Sequence, residues 1–299
     1  MKNKWLWFGL AVFVMLCIIF SASLYIATTI MEEKTDFGGK EGIGLVEVKG
    51  IILDSQDTVK QLSDFKKNEN VKAVVLRIES PGGVVGPSQE IYDAVKKLAL
   101  KKKVVVSMGS VAASGGYYIA VPATKIFANP GTITGSIGVL MKFSNIEGLM
   151  DKIGMKAFTL KTGKYKDVGS PVRTMSDEDK AMLQSVIDST HGQFVKAVAE
   201  GRKLPLEQVK ALADGRIYSG EQALALKLVD NLGTMQDAIE EAGKLAGIKG
   251  EPHVITPPKK KKFFLDMLME ETADRISGLV KQDNGLSVNY EMSGKLGQK

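Results

Sequence analysis

The chain has 299 residues, and 40 Lys and Arg residues against 34 Asp and Glu residues give it a formal net charge of +6. Hydrophobic residues make up 44% of the chain and charged residues 25%, which excludes wholesale disorder. One cysteine, Cys17, excludes an intramolecular disulfide and a Cys-rich zinc site, and two histidines, His191 and His253, exclude a three-His zinc site. Aromatic residues make up 7% and the basic residues are spread along the chain, so we expect no nucleic-acid partner.

An uncharged N-terminal segment predicts a membrane anchor. Trp5 to Ile30 is a run of 26 residues without a charge, which as a helix exceeds the roughly 30 Å hydrocarbon core of a bilayer. Because Lys2 and Lys4 precede the run, we expect residues 1–4 in the cytoplasm, residues 5–30 as a single-pass signal anchor of the cell membrane, and the catalytic domain outside the cytoplasm. A cleaved signal peptide is the alternative, but the apolar run continues beyond the small residues at 21–23. Residues 31–42 are predicted to be a polar tether.

Alternating strand and helix patterns follow and predict one α/β domain over residues 43–250. They predict a strand over Ile43–Val48, a helix over Ser55–Lys67 and a buried strand over the β-branched run Val71–Ile78. This order predicts parallel strands joined by right-handed crossovers. Further helices are predicted over Pro87–Leu100, Ser114–Val121, a segment beyond Asn145, Ser176–Gly201, Leu206–Ala213, Gly220–Leu226 and Thr234–Ala246, and further strands over Val104–Met108, Lys125–Ala128, Ser136–Leu140 and a segment ending at Leu160.

The composition changes after residue 250, and residues 251–299 are predicted to be a basic linker and a C-terminal tail. Two prolines and four lysines over Pro257–Lys262 are typical of a solvated linker. From about Asp283 the chain is predicted to be disordered. The tail is expected either to enter an active-site groove of the same oligomer or to form an amphipathic helix against a membrane or a neighbouring subunit. Four apolar residues can share one face of such a helix: Phe264, Leu268, Ile276 and Leu279.

Three glycine-containing turns stand at the ends of predicted strands, where open α/β sheets build their sites. Residues Glu79–Gly83 can point backbone N–H groups at an anion, although a plain strand-to-helix turn fits equally well. Residues Gly109–Tyr118 place the hydroxyl of Ser114 at a helix N-terminus, either near N–H groups that could stabilise an oxyanion or as a helix cap. Residues Gly131–Val139 are expected to shape the wall of the site.

A serine nucleophile needs a base, and the sequence offers two kinds. His191 lies in the middle of a predicted helix and is expected to face solvent or to pack on the surface, and His253 lies beside Pro252 at the exit of the domain, so neither is placed like a catalytic base. A lysine can serve when burial lowers its pKa from about 10.4 toward neutrality. The loop from residue 161 to residue 171 has three lysines, at 161, 164 and 166, and their spacing alone does not choose among them or exclude a surface cluster.

Taken together these segments resemble the signal peptide peptidase A family, which consists of Ser–Lys peptidases related to the Clp proteases and the crotonases. The resemblance covers roughly residues 43–246 and the N-terminal anchor, and it corresponds to the short, single-domain form of the family. It implies a ClpP/crotonase-like α/β superhelix of repeated β-β-α units. It rests on the order and spacing of four motifs: Ser80-Pro81-Gly82-Gly83, Ala112-Ala113-Ser114-Gly115-Gly116-Tyr117-Tyr118, Thr134-Gly135-Ser136-Ile137-Gly138-Val139 and Gly163-Lys164-Tyr165-Lys166.

The resemblance also implies the roles of five residues. Ser114 would be the nucleophile and Lys166 the general base, while the N–H of Gly115 and that of Gly82 or Gly83 would form the oxyanion hole. The family pattern has Asn where this chain has Glu79, which leaves the backbone role of that turn intact but assigns the Glu79 side chain no role. No metal, nucleotide or organic cofactor is implied.

The expected function is therefore that of a membrane-anchored serine endopeptidase that degrades released signal peptides and other extended peptides. A ring- or dome-shaped homo-oligomer is implied, with the site completed within one copy or by a neighbour. One alternative is a crotonase-like acyl-CoA enzyme, which would need a catalytic carboxylate and a CoA site. The other is a non-catalytic membrane scaffold of the same fold, which the presence of both Ser114 and Lys166 disfavours.

Overall fold

A computed structural model describes residues 40–257 and 289–291, together with residues 7, 8, 10, 12–21 and 23 near the N-terminus. The chain divides into two compact units, Met1–Gly39 and Lys40–Lys299. The described residues of the first unit are helical. Within the described residues, no helix is both long enough and apolar enough to cross a bilayer. Much of the predicted anchor over residues 5–30, nearly all of the tether over 31–42 and the apolar helical face after residue 258 lie outside the described residues.

The centre of the second unit is a largely parallel sheet. The long strands β1 (Gly42–Lys49), β2 (Val71–Ser80) and β4 (Lys103–Ala113) lie side by side and parallel. β2 is almost wholly buried because its β-branched residues are covered on both faces of the sheet. The sheet is extended by β5 (Lys125–Ala128), β6 (Ile133–Gly135), β7 (Ile217–Ser219), β8 (Asn231–Leu232) and β9 (Val254–Ile255), in the order β7-β6-β4-β2-β1-β9 with β5 on β4 and β8 on β5.

Helices cover both faces of this sheet. On one face, Gly44 of β1 lies directly against the ring of Phe65 in α1 (Gln56–Lys67). On the other face, α8 (Met235–Leu245) packs its Ala238, Ile239 and Ala242 against the alternate residues of the strands. The remaining helices are α2 (Val85–Ala99), α3 (Gly115–Ala120), α4 (Glu147–Lys152), α5 (Asp177–Arg202), α6 (Leu206–Leu212) and α7 (Gly220–Ala225).

Helix α5 begins where its sequence predicts. The hydroxyl of Ser176 accepts the N–H of Asp179, and the carboxylate of Asp179 accepts the N–H of Ser176, which is a capping box. Acidic residues in the first turn add a favourable interaction with the helix dipole. The helix ends at Lys203, whose left-handed backbone, φ 54°, stops further helical hydrogen bonding.

Three predicted segments differ from the structure. Strand β4 continues through residues 109–113, which the small residues had indicated to be a turn, because its second half pairs with β6. The short strand predicted over Ser136–Leu140 lies instead at Ile133–Gly135, and β6 pairs antiparallel with β7 rather than parallel. The segment that ends at Leu160 is not a strand, since in the described part of the chain its apolar residues remain exposed without a partner strand.

Candidate active site

Ser114 lies at the C-terminal end of β4, immediately before α3. Its backbone has φ 53° and ψ −118°, a conformation that L residues rarely adopt. The conformation is held by hydrogen bonds on both sides: the N–H of Ser114 donates to the carbonyl of Gly135 over 2.8 Å, and its own carbonyl accepts the N–H of Tyr118 over 2.8 Å. The chain therefore makes a sharp strand-to-helix turn that presents the Ser114 side chain at the end of the sheet.

The hydroxyl of Ser114 is buried without a partner. The residue is 1% exposed, and its Oγ finds no hydrogen-bond partner among the described residues. A buried polar atom that is left unsatisfied costs about 1–3 kcal/mol, so native proteins keep few of them, and many belong to functional sites. A strained backbone and an unpaired hydroxyl therefore coincide at one residue.

The short strand β3 (Gly82–Val84) forms the neighbouring wall. It lies parallel to Ile52, whose N–H donates to the carbonyl of Gly82 over 2.9 Å and whose carbonyl accepts the N–H of Val84 over 2.8 Å. Gly83 has no room for a side chain, since a Cβ there would lie 2.1 Å from the carbonyl oxygen of Ile52. The sequence had indicated a turn here. A strand forms because the extended backbone of Gly82–Val84 exchanges these hydrogen bonds with a segment distant in the chain.

Glycines bring this wall against the turn that carries Ser114. A Cβ on Gly115 would lie 3.1 Å from the N atom of Gly83 and 2.8 Å from the Oγ of Ser88. The N–H of Gly82 is engaged by the hydroxyl of Ser80 over 3.1 Å, so Gly83 is the better candidate of the two for an oxyanion donor. The structure thus brings the turn of Ser114 and Gly115 against Gly83.

A segment of the C-terminal tail pairs with this wall. Strand β10 (Asn289–Glu291) lies antiparallel to β3, with Tyr290 opposite Gly83, and it also lies against α3. The prediction of disorder from about Asp283 is therefore wrong for these three residues. β3 has an edge that accepts an extended peptide directly beside the turn at Ser114.

Lys166 lies in the loop between α4 and α5, where it is exposed. Its amine forms no hydrogen bond or ion pair with any other described residue, and none joins it to the Oγ of Ser114. The other two lysines of the loop are engaged: Lys161 pairs with Asp167 and donates to the carbonyl of Lys164, and Lys164 lies 3.5 Å from Glu178.

The loop that carries Lys166 is held by charged contacts. Arg173 binds Asp167 through its Nε over 2.9 Å and Asp179 through a second nitrogen over 2.6 Å, which fastens the loop to the first turn of α5. Hydrogen bonds from Arg173 and from Lys161 hold the pKa of the Asp167 carboxyl far below its ordinary value. A hydrogen bond from Arg173 lowers the pKa of Asp179 as well. Asp167 follows Lys166 directly, so these ion pairs constrain the backbone at Lys166.

The two histidines are not joined to Ser114. His253 is exposed, and its carbonyl accepts the N–H of Ile43 over 2.8 Å. His191 is half-buried, as packing on the surface implies, and its Nε2 is buried without a hydrogen-bond partner among the described residues. In the same part of the chain, no three His, Cys, Asp or Glu side chains are placed to hold a metal ion.

Sequence reasoning missed four residues that shape this site. Ile52 supports β3, Ser88 fills the space beside Gly115, Gly135 fixes the N–H of Ser114, and Tyr290 lies opposite Gly83. The glycine of the third motif was the one available signal, since a positive φ of 76° at Gly135 requires that residue type.

Comparisons with known proteins show the family of this chain. Peptidase family S49 matches residues 96–249, and the Clp protease family matches residues 52–133. A protein of Synechocystis sp. named "Putative protease slr0021" is 46% identical over 224 residues, which cover 74% of this chain and 81% of that protein. A protein of Enterococcus faecium named "Putative signal peptide peptidase SppA" is 37% identical over 74% of this chain and 68% of its own. Protease 4 of Salmonella typhi is 37% identical over 73% of this chain, which spans 37% of that longer protein. The chain therefore belongs to peptidase family S49, as an SppA-like serine peptidase with a Clp-like α/β fold.

Proposed function

We propose that this chain is a membrane-anchored serine endopeptidase in which Ser114 is the nucleophile and Lys166 the general base. The observation that carries the proposal is the Ser114 hydroxyl, which is buried, unpaired among the described residues and held on a strained turn against the glycine wall of β3. The family supplies the reaction class, which is hydrolysis of a peptide bond.

The geometry supports acyl transfer to a peptide that adds to β3 as an antiparallel strand, in the manner of β10. The Oγ of Ser114 would attack the carbonyl carbon while the neutral amine of Lys166 takes its proton. The N–H groups of Gly115 and Gly83 would stabilise the oxyanion. The ammonium of Lys166 would return the proton to the leaving amine, and water would then release the acyl group from Ser114.

A second copy of the chain is the proposed route by which Lys166 reaches Ser114. Around the Lys166 loop, a run of large apolar side chains is exposed in the single chain, which favours an oligomer that covers them. Such a homo-oligomer, a ring or a dome, would bring the loop of one copy to the serine of the next. The exposed residues are Phe143, Ile146, Leu149, Ile153, Met155, Phe158, Leu160 and Tyr165.

Mixing two inactive variants tests this arrangement. Ser114→Ala supplies an intact lysine and Lys166→Ala an intact serine, so a site shared between copies is restored in about a quarter of positions when the two variants assemble at random in equal amounts. A site completed within one copy stays inactive in every mixture. Each variant mixed with itself is the control.

Membrane anchoring and signal-peptide degradation form the other part of the proposal. The uncharged run from Trp5 to Ile30 supports an anchor with a cytoplasmic N-terminus and an extracytoplasmic peptidase domain. Signal peptides released in the same membrane are extended apolar peptides, and the name of the Enterococcus faecium relative refers to them. Protease added to spheroplasts should digest the domain while residues 1–4 stay protected; protection of the domain until lysis would reverse the topology.

A fluorophosphonate probe tests the nucleophile directly. It should label the wild-type protein at Ser114 and should fail to label Ser114→Ala. His191→Ala and His253→Ala should be labelled and should hydrolyse peptides at wild-type rates. Loss of labelling in either histidine variant, or retained activity in Ser114→Ala, would contradict the assignment.

A further inference from the structure

The strand that delivers Ser114 is irregular five residues before that residue. The register between β2 and β4 is regular up to Ile78 opposite Met108, and it resumes with Ser80 opposite Ala112. Between these two pairs β2 advances two residues while β4 advances four, so β4 bulges over residues 109–111. Such a bulge leaves backbone groups without ladder partners and changes the direction of the strand.

The side chain of Glu79 fills this bulge. Its Oε2 accepts the N–H of Ser110 over 2.9 Å, and its Oε1 accepts the N–H of Val111 over 3.1 Å. The carboxylate therefore takes the place of the missing strand partner for two successive N–H groups. Gly109 has to be a glycine here, since a Cβ would lie 1.7 Å from Oε2 of Glu79.

Neighbouring side chains hold the carbonyl groups of the same segment. Thr132 donates its hydroxyl to the carbonyl of Gly109 over 2.7 Å, and Thr134 donates to that of Ala112 over 2.7 Å. Arg77 donates to the carbonyl of Met108 over 3.2 Å. The bulge is thus fixed on both its N–H and its carbonyl side, and the chain then runs through two alanines to Ser114.

Resting on the proposed function, we infer that Glu79 is a positioning residue of the peptidase, which sets the place of Ser114 relative to Gly83 by fixing the bulge of β4. β3 begins three residues after Glu79, so one short stretch of chain both builds the wall of the site and holds the strand that carries the serine. The resemblance to the family assigned this side chain no role. The carboxylate acts through two backbone N–H groups and does not touch the reacting atoms.

The test compares Glu79→Ala and Glu79→Gln with a matched control, Glu47→Ala, in the full-length protein. Glu47 lies on the adjacent strand opposite Arg77, is exposed and pairs with Lys49, but contacts no N–H of β4. Glu79→Ala should lower kcat and the rate of fluorophosphonate labelling by the same factor, roughly 10- to 100-fold, because small misplacements of a nucleophile have effects of that size. KM should change less than about twofold, since Ile52 still supports β3. Glu79→Gln keeps one acceptor oxygen, so its kcat and its labelling rate should lie between those of wild type and Glu79→Ala.

The labelling experiment separates positioning from folding. If Glu79 positions Ser114, every Glu79→Ala chain should eventually be labelled, but more slowly than wild type. If the substitution instead reduces the amount of folded protein, the final extent of labelling should fall while its rate stays unchanged. The second result would overturn the inference. An unchanged kcat in Glu79→Ala, or a raised KM at constant kcat, would also overturn it. If the wild-type protein is not labelled at all, the proposed function fails and this inference fails with it. If the wild-type protein is labelled and Glu79→Ala is labelled at the same rate, only the inference about Glu79 is refuted.

Discussion

Removing the hydroxyl of Ser114 should make the folded protein more stable. The Oγ is buried and has no hydrogen-bond partner in the part of the chain that the structure describes, and an unsatisfied buried hydroxyl costs about 1–3 kcal/mol. Ser114→Ala deletes one atom and leaves the backbone unchanged. In a Lys166→Ala background, where no lysine can reach the hydroxyl, we expect Ser114→Ala to raise the free energy of unfolding by about 1–2 kcal/mol. If Lys166 is the base, as proposed, the gain with Lys166 present should be smaller by about 1 kcal/mol, because the amine would then accept a hydrogen bond from the hydroxyl.

The backbone makes a second, separable contribution at the same residue. The φ of 53° at Ser114 is strained for an L residue by about 1–3 kcal/mol, and Ser114→Gly relieves that strain while it increases the entropy of the unfolded chain by about 0.5–1 kcal/mol. We therefore expect Ser114→Gly to be at least as stable as Ser114→Ala. Ser136 is the matched control, since its φ is 51° but its hydroxyl is not among the unpaired buried atoms of the described residues. Ser136→Gly should raise the free energy of unfolding only by the backbone contribution, and Ser136→Ala should leave the free energy of unfolding unchanged.

The measurement is urea unfolding of the full-length protein in mild detergent, followed by circular dichroism at one fixed protein concentration. The concentration has to be fixed because assembly contributes to the apparent stability of an oligomer. Both Ser114 variants should be inactive, so a gain in stability would accompany the loss of activity. A Ser114→Ala variant that is about 1 kcal/mol less stable than its parent in the Lys166→Ala background would refute the reasoning, since it would mean that the hydroxyl forms a stabilising hydrogen bond without Lys166.

Three further predictions concern the loop and the tail. Lys166→Ala should lower kcat by about 10²–10⁴-fold, the range for loss of a general base, whereas Lys164→Ala should stay within about twofold of wild type; equal losses would indicate attraction of substrate instead. Arg173→Ala should raise the pKa of Asp167 toward its ordinary value of about 3.9 and release the loop, which limited proteolysis would detect. In wild type the ion pair contributes its full stability above about pH 4, and this is lost only as the pH falls through the lowered pKa of Asp167. Deletion of residues 289–299 should lower the apparent KM for a peptide, since β10 competes for β3; an unchanged KM would contradict this.

Elements whose signal is local could be predicted from the sequence. The strand over Val71–Ile78 could be predicted because a β-branched run without turn residues is typical of a strand buried on both faces. Helix α5 was evident because Ser176 and the acidic first turn mark its start. The local pattern at Ser114 left a helix cap and a nucleophile open, and only the family resemblance implied the nucleophile.

Elements that depend on distant parts of the chain could not be predicted. Residues 109–113 look like a turn because they are small, but they form strand because β6 pairs with them and Glu79, some thirty residues earlier, supplies the acceptors for the bulge. The wall at Gly83 is a strand because Ile52 lies beside it. The segment ending at Leu160 has an apolar pattern that favours a strand, yet its apolar residues are exposed and no strand of the described residues pairs with it.

The choice among the loop lysines shows most clearly what structure adds to sequence. Residues 161, 164 and 166 are the same residue type within six positions, and no rule of spacing separates them. Ion pairs distinguish these lysines in the structure, because Lys161 is held by Asp167 and Lys164 lies beside Glu178. Each of these two amines is held at a carboxylate and is not left available to a serine hydroxyl. Lys166 is the loop lysine without a carboxylate partner in the described chain, so under the proposed function it is the candidate base, with the unpaired hydroxyl of Ser114 as its proposed partner.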